Sequence, residues 1–283
     1  MALDLDILGV SLGPYPHKWD SKDAILYALS VGSGASELAF TTENSHGIAQ
    51  KVLPTFSVVG GGPAVMDIWN KIGSFDHSKL LHLEQQVRVV ADLPPAAEVE
   101  TFTQVEGIYD RITGASVEVK FTTSDAHSGQ VLFETFSTVF IRGEGGFGGS
   151  RGNRVKAVAL PDRDPDFVTT YETQPIQALL YRLNGDRNPL HSDPEFARQA
   201  GFEHPILHGL CTYGFAGRAL LGSCCNFDTS LFGSMSARFV APVYPGDLLT
   251  TTIWRTEEGA VFLVENQAGV AVLERGRFTY RGV

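Results

Sequence analysis

Gly143-Glu144-Gly145-Gly146-Phe147-Gly148-Gly149-Ser150 divides a 283-residue sequence almost at its midpoint. Five of these eight positions are glycine, a composition that sustains neither helix nor strand, so the stretch reads as a connector, extended to residues 143–165. On this reading residues 1–142 and 166–283 are two domains of ordinary size, each able to bury a core without disulfides or structural metals.

Upstream of the connector, Asp20 and Ser21 can cap a helix through Ala24-Ile25-Leu26-Tyr27-Ala28-Leu29. Four β-rich runs follow, over roughly 80–91, 97–112, 115–125 and 130–142, with Val117, Val119 and Phe121 alternating with polar neighbours, as do Val139 and Ile141. Downstream, helical stretches are expected over roughly 174–183, after Asp193 with Pro194 in the first turn and Gly201 at the end, and over roughly 207–221. Four strands then follow, over roughly 234–241, 247–256, 260–267 and 269–280. Helices followed by a meander of long strands give an α+β class, an antiparallel sheet packed on a helix, in each half.

A faint internal repeat relates the halves. Arg88-Val89-Val90-Ala91, Pro95 and Thr101 recur, offset by 150 positions, as Arg238-Phe239-Val240-Ala241, Pro245 and Thr251. The halves differ where a central helix belongs: the second has Gly209–Leu221 uninterrupted, whereas Pro54–Trp69 contains Gly60-Gly61-Gly62-Pro63. Three glycines and a proline oppose a long helix, so the first half is expected to have a broken one, leaving room for a long or bulky group.

The formal net charge of −10 argues against a nucleic-acid partner, which needs a basic surface, but leaves a phosphorylated small molecule open to a few local cations. Cys211, Cys224 and Cys225 form neither a disulfide framework nor a C-x-x-C metal spacing and fit a reducing compartment. The acidic start Met1-Ala2-Leu3-Asp4-Leu5-Asp6 lacks the features of a signal peptide, and Arg281-Gly282-Val283 is not a peroxisomal address; no apolar run suits a membrane. The cytoplasm is the default expectation. No dinucleotide loop and no nucleophile elbow is present, since the glycines at 145–149 do not lead from a strand into a helix.

The chemistry lies in Tyr181-Arg182-Leu183-Asn184-Gly185-Asp186-Arg187-Asn188-Pro189-Leu190-His191. Gly185 and Asn188-Pro189 disfavour continued helix, so Asp186 and His191 are expected on one constrained turn, where a carboxylate and an imidazole suit proton transfer. Further on, Pro205-Ile206-Leu207-His208-Gly209-Leu210 carries a loop into an apolar helix at glycine. The first N–H groups of a helix lack internal acceptors, and glycine admits a carbonyl oxygen close to them. His208 reads either as a ligand or, preferably, as a hydrogen-bonded loop histidine.

The string from Tyr181 through Pro194-Glu195-Phe196-Ala197 resembles the hydratase motif of MaoC-like (R)-specific enoyl-CoA hydratases, above all the hydratase-2 region of peroxisomal multifunctional enzymes. The likeness covers nearly the whole chain, through Tyr27-Ala28-Leu29, Leu53-Pro54-Thr55-Phe56, Leu81-His82-Leu83-Glu84-Gln85, the glycine stretch, and Arg238-Phe239 to Gly246. It implies a double hot-dog, two repeats each wrapping a sheet on a helix, and syn hydration of a trans-2-enoyl-CoA to a (3R)-3-hydroxyacyl-CoA. Asp186 and His191 match the family's catalytic pair, Asn188 the residue that helps hold the site and its water, and Gly209 the N–H that receives the thioester oxygen. Substrate contacts carry over to His82, Leu83, Arg111 and Phe239, although Leu83 stands where the family has glycine and Arg111 where lysine is common. Arg238 either reaches a CoA phosphate or shares a structural role with Arg88; His82 is either a ligand residue or a core histidine. The resemblance implies no metal or organic cofactor, an acyl-CoA as the small-molecule partner, and a homodimer. Dehydration of a 3-hydroxyacyl thioester in synthesis, a non-catalytic acyl-thioester module and a thioesterase stand as alternatives.

Overall fold

The structure, a computed structural model, describes residues 3–152 and 159–282. Ten strands form one antiparallel sheet: β1 (Ser11–Trp19), β2 (Leu80–Val89), β3 (Ala97–Asp110), β4 (Gly114–Asp125), β5 (Val131–Arg142), β6 (Phe167–Glu172), β7 (Phe232–Phe239), β8 (Leu248–Arg255), β9 (Gly259–Asn266) and β10 (Ala271–Tyr280). Their order is β1-β3-β4-β5-β2-β7-β10-β9-β8-β6. Each half contributes five neighbouring strands in the same internal order, and the halves meet where β2 pairs β7, from Glu84↔Arg238 to Arg88↔Ser234. This is the double hot-dog expected from the resemblance. The alternating residues Val117, Val119, Phe121, Val139 and Ile141 are all buried, on the face that carries the helices.

The helices are α1 (Ser21–Ser30), α2 (Leu38–Thr41), α3 (Ser57–Gly60), α4 (Ala64–Lys71), α5 (Gln177–Tyr181), α6 (Pro194–Gln199) and α7 (Gly209–Cys225). Asp20 caps α1 in a reciprocal capping box with Asp23, satisfying two end donors at once. Twelve of the seventeen residues of α7 are buried, the unbroken run from Cys211 to Leu221 among them, because it lies between the sheet of the second half and α1 of the first. Gly214 allows that crossing: a Cβ there would come within 2.4 Å of Val31 Cγ1. An ion pair also ties the halves together. Arg218 on α7 donates through Nε to both carboxylate oxygens of Glu37, at 3.0 and 2.9 Å, and through Nη1 to the Val31 carbonyl.

The first half has no counterpart of α7. Pro54–Phe56 forms a 3-10 turn, α3 is four residues long, Gly61-Gly62-Pro63 intervene, and α4 then packs on a second core of its own with Ile68, Ile72, Val105 and Phe121. The break expected from the glycines and proline is present.

Two strands escaped the sequence reading. β1 contains Pro14 and Pro16, which cannot donate to a ladder, and it occupies one outer edge of the sheet, the position where proline is tolerated. β6 occupies the other edge. The glycine stretch also departs from expectation. It has no regular element, but it is fastened rather than loose. The Gly143 N–H donates to the Thr113 carbonyl, the Asp110 N–H donates to that of Ser150, and the Asp110 carboxylate accepts the N–H groups of Gly146 and Gly148 at 2.9 and 2.8 Å. Residues 153–158 of the connector lie outside the described residues.

Candidate active site

α5 ends at Tyr181 and a 3-10 turn spans Arg182–Asn184. Gly185 reverses the chain with φ +125°, a conformation that a side chain would strain. Asn188 then caps a second 3-10 turn, Pro189–His191, its Oδ1 accepting the Leu190 N–H at 3.0 Å, with Pro189 in the first turn. Asp186 is held against this turn, Oδ1 accepting the Asn188 N–H at 3.0 Å. The expected constrained turn is therefore built from two successive 3-10 segments. Asn188 itself is exposed, its carbonyl oxygen engaged as a cap.

His191 is buried, and its Nδ1–H donates to the Ile206 carbonyl at 2.8 Å. That bond fixes the tautomer and leaves Nε2 with a free lone pair. Burial lowers the pKa of His191 below its ordinary value, against the opposing pull of the Ile206 carbonyl and the Asp186 charge, so the ring is neutral at pH 7. A carboxylate oxygen of Asp186 and a ring nitrogen of His191 lie within 4.8 Å of each other. One water hydrogen-bonded to both can span about 5.6 Å, twice a normal 2.8 Å bond, so the two groups are close enough to share it.

His208 is the residue that the sequence reading underweighted. Its Nε2–H donates to the backbone carbonyl of Asp186 at 3.2 Å, and its ring stacks on His191 with centroids 3.7 Å apart and planes at 28°. Tyr181 packs against the same ring at 4.9 Å. Burial and the neighbouring His191 push its pKa down to about 4, so it too is neutral. It is a hydrogen-bonded loop histidine, as preferred, and it also sets the ring plane of His191 and the backbone of Asp186. Asp186, His191 and His208 bring three ligand-type atoms together. His191 Nδ1 and His208 Nε2 face the carbonyls of Ile206 and Asp186, and His208 Nδ1 is buried with no hydrogen-bond partner among the described residues.

Gly209 is the first residue of α7, behind His208 in extended conformation. The His208 carbonyl accepts the N–H groups of Cys211 and Thr212, whereas the Gly209 N–H has no acceptor among the described residues. It stands at the positive end of a 17-residue helix. A Cβ on Gly209 would lie 3.1 Å from the ring of Phe239, which packs against His82 at 4.8 Å. His82 thus reaches the site from the first half. Its Nε2–H donates to the Glu84 carbonyl at 3.1 Å, and burial pushes its pKa to about 4, opposed by the Glu84 carbonyl, Gln85 and the Asp186 charge. Leu83 is the extra residue of a β-bulge between His82↔Val139 and Glu84↔Thr138. The bulge turns His82 to the inner face of the sheet, with Val139, and Glu84 to the outer.

Two expected residues are elsewhere. Arg238 pairs in register with Glu84 and Glu274, on the outer face, and its Nη1 bonds Glu84 Oε1 at 2.7 Å. Arg88 is likewise ion-paired to its register partner Glu134, so the repeated arginines share a structural role and Arg238 does not join the dyad. Arg111 is exposed at the β3–β4 turn, three strands from β2, over the ring of Tyr109. The next residue, Ile112, has φ +69°, uncommon for a β-branched side chain, and is held there by its N–H bond to Asp110 at 2.8 Å.

Residues 156–275 match the model of the MaoC like domain, and residues 17–143 match that of the MFE-2 hydratase 2 N-terminal domain. The chain is 48% identical over 272 residues to 3-hydroxyacyl-thioester dehydratase Y of Mycobacterium tuberculosis, covering 94% of this chain and 92% of that one. It is 37% identical to a probable enoyl-CoA hydratase 2 of Dictyostelium discoideum, over 95% and 94% of the two chains. The crystal structure of a MaoC-like dehydratase from Phytophthora capsici superposes with a TM-score of 0.87 at 30% identity, covering 98% of both chains. No helix among the described residues is long and apolar enough to cross a membrane.

Proposed function

Because this chain belongs to the MaoC-like hydratase family, in the branch that joins a hydratase 2 N-terminal domain to a MaoC-like domain, we propose that it catalyses the reversible syn hydration of trans-2-enoyl-CoA to (3R)-3-hydroxyacyl-CoA. The observation that carries this reading is the approach of Asp186 and His191 to within reach of one water, beside a helix whose first N–H is free. Water adds to the β-carbon only as charge moves onto the thioester oxygen. The Gly209 N–H receives that developing enolate, a role in which a single donor is worth about 3–4 kcal/mol. Asp186 and His191 hold the water, take its proton as the C–O bond forms, and return a proton to the α-carbon from the same side, which makes the addition syn. Their titration belongs to the pair. No metal or organic cofactor enters these steps.

The reading divides the chain into an N-terminal hot-dog of residues 1–142 that binds the acyl and CoA portions, the connector 143–165, and a catalytic hot-dog of residues 166–283. His82, Leu83 and Phe239 line the thioester end, with Arg111 reserved for the CoA moiety. The broken helix between Pro54 and Lys71 supports medium, long or bulky acyl groups, as in fatty-acid or sterol side-chain metabolism. Free Cys211, Cys224 and Cys225 support a reducing compartment, here the cytoplasm, and a homodimer is the expected assembly.

Loss of the conjugated-thioester absorbance with crotonyl-CoA and longer enoyl-CoAs, followed by the chirality of the product, tests the reading. An (R)-alcohol is expected; release of free thiol would replace it with thioesterase activity. The 48% identity to a 3-hydroxyacyl-thioester dehydratase favours one second reading, the same chemistry run toward the enoyl thioester, which the carrier preference separates.

A further inference from the structure

We propose that Asp186, His191 and His208 form a binding site for zinc, and that the ion inhibits the enzyme by taking the atoms that hold the reacting water. The inhibition, though not the binding, rests on the hydratase reading above. One carboxylate oxygen and one ring nitrogen from each histidine lie within 4.8 Å of one another. Zinc bonds imidazole nitrogen at about 2.0–2.1 Å, so two of its ligands at the tetrahedral angle stand about 3.3 Å apart. Atoms already within 4.8 Å close onto such an ion by side-chain rotation, the stacked rings of His191 and His208 parting as they turn.

The hydrogen bonds around the two rings are those of ligating histidines, which bind a metal through one nitrogen and donate the other N–H to a carbonyl or carboxylate. His191 gives its Nδ1–H to the Ile206 carbonyl at 2.8 Å, and His208 gives its Nε2–H to the Asp186 carbonyl at 3.2 Å. The lone pairs of His191 Nε2 and His208 Nδ1 remain. His191 Nε2 has a use in holding the water; His208 Nδ1 has none. It belongs to a residue only 1% exposed, and it has no hydrogen-bond partner among the described residues. A buried acceptor left in that state costs about 1–3 kcal/mol, which a bound cation relieves. Asp186 engages Oδ1 with the Asn188 N–H and keeps Oδ2 for the ion. Two imidazoles and one carboxylate suit zinc, whereas magnesium and calcium require sets of oxygen ligands. Three protein ligands leave a fourth position on zinc for water. With the Asp186 carboxylate and His191 Nε2 both bound to the ion, neither is free to take a proton from that water, so the ion stops turnover.

Calorimetric titration of chelator-treated protein with zinc chloride tests the site without reference to activity. One zinc per chain is expected, and Asp186→Asn, His191→Ala and His208→Ala should each weaken it by at least about 100-fold, while His204→Ala, at an exposed histidine, leaves it unchanged. Cobalt chloride added to the wild type should give the intense visible bands of a tetrahedral ion; this reading needs no variant and stands even where His208→Ala fails to fold. Hydration of crotonyl-CoA by the wild type at buffered free zinc should fall at least about tenfold, recover fully with EDTA, and ignore magnesium. Absence of zinc binding, binding that survives substitution of His208, or the weak bands of octahedral cobalt would each overturn the site. Turnover that zinc leaves alone or stimulates would overturn the inhibition. Wild-type protein inert on crotonyl-CoA with EDTA present would overturn the hydratase reading and the inhibition with it, whereas the calorimetry decides the zinc site on its own.

Discussion

Replacing Gly209 by proline deletes one hydrogen-bond donor and leaves its helix standing. Gly209 is the first residue of α7, where the N–H takes no part in the helical ladder and proline is a favoured residue. His208 before it has φ −59° and ψ 133°, the extended conformation that a following proline requires. Stability should therefore hold, with a gain of about 0.4–1 kcal/mol from the stiffer unfolded chain. A side chain here meets Phe239, since a Cβ lies 3.1 Å from Cε1 and 3.2 Å from Cδ1 of its ring, so the ring must give by a few tenths of an ångström. Gly209→Ala incurs that contact while keeping the N–H and is the control. The comparison of the two variants isolates the donor, and kcat in the proline variant should fall about 100- to 1,000-fold further, on the order of 2.7–4 kcal/mol of transition-state stabilisation. The assay is disappearance of the enoyl-thioester absorbance, with Tm measured on both proteins. A proline variant within about threefold of the alanine variant, at equal Tm, would refute the role given to this N–H.

Asp186→Asn and His191→Ala should each lower kcat by about 100- to 10,000-fold with circular dichroism and CoA affinity preserved, as loss of a proton-transfer partner does; near-wild-type turnover removes that residue from the mechanism. Activity should fall as pH drops below His191's ordinary 6.5 and through its lowered native pKa, because a protonated Nε2 has no lone pair to offer the water. Stability should fall in the same direction. The unfolded histidines bind protons from about 6.5 whereas native His82 and His208 hold out to about 4, so acid favours the unfolded chain across that window; a Tm that rises on acidification would contradict it. Arg218→Ala strands the Glu37 carboxylate between the halves and should destabilise by about 3–5 kcal/mol, read as a large loss of Tm, whereas a change under about 1 kcal/mol would show that water reaches Glu37.

What could be read from the chain divides along physical lines. Strands with one buried face announce themselves by alternation, so β2 to β5 and β7 to β10 were legible, as was the helix break at Gly60–Pro63. The edge strands were not: proline in β1 argues against a strand unless its edge position is known, and that is a property of the assembled sheet. The Asp186–His191 turn was legible because Gly185, Asn188 and Pro189 each impose a local conformation. The face on which Arg238 emerges was not, since a bulge at Leu83 sets the register of its neighbouring strand. The part played by His208 was hidden for a similar reason, because its stacking on His191 depends on two loops meeting. Glycine in the connector read as freedom, but several of these N–H groups serve Asp110, and no composition reveals that partner.

A crystal structure of the Asp186→Asn variant with a bound enoyl-CoA would examine the shared water and its opposing donor directly. One water should lie within hydrogen-bond distance of both residue 186 and His191 Nε2, facing the β-carbon, with the thioester oxygen accepting the Gly209 N–H. Two separate waters, or a thioester oxygen turned away from the start of α7, would contradict the account.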